Sequence, residues 1–118
     1  MKRLLVPAIS LALIALLASS AGALAAKPTT SMAKAGGCST LIFSWSSYPK
    51  ANVAQLRIHH FGIFETSRSV GVGGQNGSFA MPADVTFLAG DQYTVLGVLL
   101  DASGRTITPS GAVWYGTC

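Results

Sequence analysis

The sequence predicts an all-β domain, an antiparallel β-sandwich of about seven short strands, and three observations carry that expectation. Between Cys38 and Cys118 apolar and polar residues alternate at period two. Turn signals interrupt the chain about every eight to twelve residues, the spacing of a sandwich. No window carries the apolar stripe of an amphipathic helix. An incomplete barrel made of the same strands is the structural alternative.

The strands follow in order. Thr40 to Ser46 places Leu41, Phe43 and Trp45 on one face, with Ile42 alone breaking the alternation. Pro49 sits in a turn over Tyr48 to Asn52, because it fixes its own φ and biases its neighbour toward extended geometry. Val53 to Phe61 alternates again, with Ala54, Leu56 and Ile58 opposed to Gln55, Arg57 and His59. Ile63 to Val72 is more polar and belongs near a sheet edge. Gly71 to Gly77 carries four glycines and reads as a flexible loop or bulge. Ser78 to Met81 and Asp84 to Phe87 form a short strand interrupted by Pro82. Gln92 to Leu100 is the clearest strand. A tight turn over Asp101 to Gly104 leads to a return strand at Arg105 to Thr108, and Pro109-Ser110-Gly111 breaks it before a last strand, Ala112 to Cys118.

The N-terminus reads as an address. Met1, Lys2 and Arg3 precede an apolar run from Leu4 to Leu17, and Ala23-Leu24-Ala25 satisfies the small-residue cleavage pattern of a secretory signal. Residues 1–26 are therefore expected to be a signal peptide, residues 27–37 a flexible leader and residues 38–118 the sandwich. An uncleaved membrane anchor and lipidation at Cys38 are the alternatives, the first because no charge falls between Arg3 and Lys27. Export implies an oxidising compartment, extracellular or periplasmic, and an even cysteine count then favours a Cys38–Cys118 disulfide over free thiols or bonds to a partner.

Charge excludes some partners. The formal charge of +4 becomes +2 without Lys2 and Arg3, and the remaining basic residues are scattered singly. That is no footprint for nucleic acid, and after cleavage no segment remains for stable membrane insertion.

The passage Phe87-Leu88-Ala89-Gly90-Asp91-Gln92-Tyr93-Thr94-Val95 resembles the approach to the sixth strand of a fibronectin type III domain. Leu41-x-Phe43-x-Trp45 is similar to that family's second strand, Leu56-x-Ile58 to its third, and Asp101 to Pro109 to its last hairpin. The resemblance covers roughly Cys38 to Cys118 and is shared with immunoglobulin-like sandwiches. It implies that Trp45 is the core tryptophan and that Tyr93 forms a corner, its hydroxyl bonding back to the backbone. The chain departs from an immunoglobulin domain at Val95, where the second core cysteine would stand.

Catalytic constellations are missing from the sequence. His59 and His60 are adjacent and point to opposite faces of a strand, so they cannot join in one metal site. The acids Glu65, Asp84, Asp91 and Asp101 are isolated in sequence, and no nucleophile elbow, zinc-helix motif or phosphate loop occurs. No enzyme activity, cofactor or metal is expected. With Tyr93, Val95 and Leu99 inward, Leu96, Val98 and Leu100 face outward beside Gln55, Arg57 and His59, with Trp114 or Tyr115 nearby. This face is the candidate surface for a protein or glycan partner, unless Arg57 and the aromatic residue simply cover it. The expectation is a secreted, non-catalytic binding or structural module. The alternatives are an inhibitor or effector using Gly71 to Gly77, and a carbohydrate-active enzyme whose carboxylates meet only in space.

Overall fold

The computed structural model describes residues 27–109 and 111–118. The expected signal peptide, residues 1–26, lies outside them. Seven strands form two antiparallel sheets. The first sheet has the order β1 (Thr29–Lys34), β2 (Leu41–Ser46), β5 (Gly77–Ala80). The second has the order β4 (Ile63–Gly71), β3 (Val53–His60), β6 (Gln92–Leu100), β7 (Ala112–Thr117). The sheets are separate, so the architecture is the sandwich and not the barrel.

Alternation decides which side chains meet between the sheets. Leu41, Phe43 and Trp45 of β2 face Ala54, Leu56 and Ile58 of β3 and Tyr93, Val95 and Leu99 of β6, all of them buried. Gly97 is the one inward position of β6 without a side chain, because a Cβ there would come within 2.5 Å of the Phe43 ring. Ile42, which broke the pattern, points outward and is exposed.

Three expectations need correction. Part of the leader is a strand: β1 pairs with β2 from Thr29↔Ser46 to Lys34↔Leu41, and Met32 packs against the core. Its order comes from the ladder, since Thr, Ser, Ala and Lys supply little burial. Asp84 to Phe87 is loop and not strand. It begins with a turn in which Val85 N donates to Pro82 O, and it plugs the core with Val85 and Phe87. Arg105 to Thr108 keeps only a bridge, Leu100↔Thr106. Thr108 is nevertheless buried, and its Oγ1 accepts from Leu99 N.

The Asp101 turn is closed by its own side chain. Asp101 Oδ1 accepts from Ser103 Oγ, Ser103 N and Arg105 N. The Ser103 hydroxyl, and after it the Arg105 amide, hold this exposed carboxylate below its ordinary value of 3.8. A carboxyl more acidic in the folded chain contributes above the ordinary value and loses that contribution as pH falls through the lower folded one. The Ser103 and Arg105 amide resonances are therefore expected to move together in an acid titration, with a midpoint below 3.8.

Cys38 and Cys118 are joined by a disulfide within the chain, with a Cα–Cα distance of 5.7 Å. The bond ties a short 3-10 turn, Cys38–Thr40, at the entrance to β2 to the residue after β7. It therefore links the two sheets at one end and does not cross the core.

Candidate binding surface

The register of the second sheet fixes its outer face, the side turned away from the first sheet. Across β3 and β6, Val53 pairs with Leu100, Gln55 with Val98, Arg57 with Leu96 and His59 with Thr94. Across β6 and β7, Leu96 pairs with Val113 and Thr94 with Tyr115. Directly paired residues share a face. Leu96, Val98, Leu100, Arg57 and His59 thus lie together, as alternation predicts.

Trp114 does not join them. It pairs with Val95, an inward residue, and packs against the core, with Lys34 Nζ 4.9 Å from the centre of its ring. Tyr115 is the aromatic residue that β7 contributes to the outer face. The break at Pro109 to Gly111 resets the phase of alternation in β7, so the sequence alone leaves open which of the two faces outward.

The apolar line is partly covered. Val98 is only 3% exposed and Leu96 and Leu100 are half-buried. On one flank Arg57 Nε donates to Gln55 Oε1 at 2.7 Å and Gln55 Nε2 to Ser69 Oγ at 3.1 Å, a polar ladder beside Leu96 and Val98. On the other flank a Cβ at Gly111 would come within 3.2 Å of Val98 and 3.3 Å of Leu96. The face is therefore closed around Val98 and opens toward the β3–β4 hairpin.

That hairpin is the feature the sequence reading missed. Phe61 and Gly62 connect β3 to β4 with φ of 51° and 79°. Two positive φ values define the type I′ turn that matches sheet twist, and Asn-Gly is its usual occupant. Phenylalanine in the left-handed region costs about 1–2 kcal/mol. Phe61 is 60% exposed, Ile63 73%, Phe64 56% and, across the sheet, Tyr115 65%. A bulge helps to assemble them: Ile58 pairs with Thr66 but His59 with Phe64, leaving Glu65 unpaired. Phe64 thereby joins His59 on the outer face, their rings edge to face at 5.6 Å.

His60 anchors the hairpin from the inner side. Its ring stacks on Tyr93 at 4.4 Å and on Phe61 at 4.7 Å. Nδ1 lies 3.3 Å from Glu65 Oε1 and Nε2 lies 2.9 Å from Asp91 Oδ2. The two carboxylates hold opposite edges of one ring and do not converge. Arg68 Nε donates to Asp84 Oδ2 at 3.1 Å, so each of the four acids is committed to a contact of the fold. Among the described residues no three His, Cys, Asp or Glu side chains are placed to share a metal ion, and no helix is long and apolar enough to cross a membrane.

The Gly71 to Gly77 loop is held rather than loose. Tyr48 N donates to Gln75 O, Ser47 N to Asn76 Oδ1 and Val72 N to Asn52 O. These three bonds pin it to the Pro49 turn, at the end of the sandwich opposite the Phe61 hairpin. No protein-family model matches the chain, and no curated protein matches it.

Proposed function

We infer that this chain is an exported, non-catalytic binding module, fibronectin type III-like in the broad sense, that engages its partner through the open end of the outer face. Two features support the family reading. Tyr93 Oη accepts from Leu88 N at 2.9 Å, the corner bond that the resemblance implied. The fourth strand pairs with the third and not with the first sheet, unlike a constant-type immunoglobulin domain. The apolar N-terminal run and the intrachain disulfide support export.

The observation that carries the binding reading is Phe61. Residues held in unfavourable backbone regions concentrate at sites of function, and here a bulky ring occupies a position where asparagine would suit the fold. The same exposed rings recur at Phe64 and Tyr115. An inhibitor acting through Gly71 to Gly77 is disfavoured by the bonds that hold that loop.

Phe61→Asn tests the reading. Relief of about 1–2 kcal/mol of backbone strain offsets about 0.5–1.5 kcal/mol from the lost stack on His60. The variant is expected to melt within a few degrees of the parent, yet to be retained less by immobilised envelope fractions. A lower melting temperature with unchanged retention would assign Phe61 to packing and remove the reading.

A further inference from the structure

The open end of the outer face is shaped as a trough with two lobes. The first, about 260 Å³, is lined by Phe61, Gly62, Gln92, Tyr93, Thr94 and Tyr115. The second, about 240 Å³, continues along β6 past His59 to Leu96 and Val113. Gly62 and Thr94 line both, so the lobes are contiguous. Each holds on the order of eight waters' worth of volume, the size class of one pyranose ring.

We propose that this trough binds a neutral oligosaccharide, with one sugar ring lodged between Phe61 and Tyr115 and the next over Thr94 toward Leu96. The proposal rests on the binding-module reading and names its ligand class. A pyranose has a face of polarised C–H groups and a rim of hydroxyls. Exposed aromatic rings present a negative π face to the first, and the Gln92 amide with the Thr94 and Tyr115 hydroxyls supplies donors and acceptors to the second. No lysine or arginine among the described residues lines either lobe. An anionic sugar or a phosphate calls for such a cation, and no aspartate or glutamate among the described residues lines either lobe to pair with a cationic ligand, which favours an uncharged one.

An extended peptide fits the floor less well. Peptides that join sheets do so at an edge, through free backbone groups. Here the floor is β6, paired with β3 on one side and β7 on the other across Tyr93 to Leu96. Only side chains are on offer, which suits a ligand recognised by ring faces and hydroxyls. The strained Phe61 turn keeps one wall of the first lobe rigid, which limits the ordering cost of binding.

The test uses the disulfide-bonded protein produced from the full chain, with cellotetraose, chitotetraose and maltotetraose as neutral probes and sialyllactose as the anionic one. The expected result is saturable binding of at least one neutral probe, with amide shifts centred on Gln92, Thr94 and Tyr115. Tyr115→Ala is expected to weaken that binding about tenfold or more, about 1.4 kcal/mol, at an unchanged melting temperature. Tyr115→Phe keeps the ring and is expected to retain most of it. Binding of sialyllactose alone, or shifts that map elsewhere, overturns the proposal. If envelope retention depends on Tyr115 while no neutral probe binds, or an apolar peptide occupies the trough instead, the saccharide inference falls and the binding module stands. If retention ignores Tyr115 and Phe61 and no probe binds, both fall.

Discussion

Replacing Cys38 and Cys118 together by alanine is expected to lower the unfolding free energy by about 4–5 kcal/mol. The bond closes a loop with a sequence separation of 80, and in the chain-entropy model a loop of that size removes about 4–5 kcal/mol of denatured-state freedom. Small domains have about 5–15 kcal/mol in all, so the variant lies close to the unfolding threshold. At about 4–8 °C per kcal/mol the melting temperature drops by about 16–40 °C. The folded form should nevertheless keep its native amide fingerprint, because other contacts hold the same end. Cys118 N donates to Asp91 O, and Lys34 of β1 sits over Trp114 of β7. Urea unfolding of the two forms measures the difference. A loss under about 1 kcal/mol would mean that these contacts, and not the covalent bond, hold this end of the domain together.

The core was legible because each of its strands carries apolar residues at every second position, a set that Ile42 leaves intact. Leu41, Phe43 and Trp45, then Ala54, Leu56 and Ile58, then Tyr93, Val95 and Leu99 read directly from sequence as inward sets, and all nine are buried. Strand β1 was not legible, since a segment of Thr, Ser, Ala and Lys has no apolar stripe and becomes a strand only through its register with β2. Val85 and Phe87 misled in the opposite sense: apolar residues after Pro82 fill the core from a loop. The outer face was half legible. Alternation in β6 located Leu96, Val98 and Leu100, but Val98 is closed off by neighbours that only pairing brings near. Phe61 was readable in principle, as the first of two residues between alternating strands where a type I′ turn wants asparagine. What the sequence could not supply was Tyr115 across the sheet, because the phase of β7 depends on how the chain resumes after Pro109.

Tyr93→Ala is expected to cost about 3–5 kcal/mol and to loosen the Phe61 end of the sandwich with it. The ring is fully buried, stacked on His60 at 4.4 Å and edge to face with Phe87 at 5.0 Å, while its hydroxyl holds Leu88 N. Tyr93→Phe separates those contributions. It keeps the ring and removes only the acceptor of one amide, and because the Leu88 side is open to solvent, water can take over that donor. About 1 kcal/mol is the expected loss, at the low end for an unpaired donor. The alanine variant also removes the surface on which His60 rests, and His60 in turn carries the Phe61 ring. Hydrogen exchange at Phe61 N, which donates to Gln92 O, is therefore expected to accelerate more in Tyr93→Ala than the global loss of stability accounts for. In Tyr93→Phe it should change only with the global term. If the two variants cost the same, the corner bond and not the buried ring stabilises this end. If Phe61 exchange follows global stability in both, the hairpin is held independently of the core beneath it.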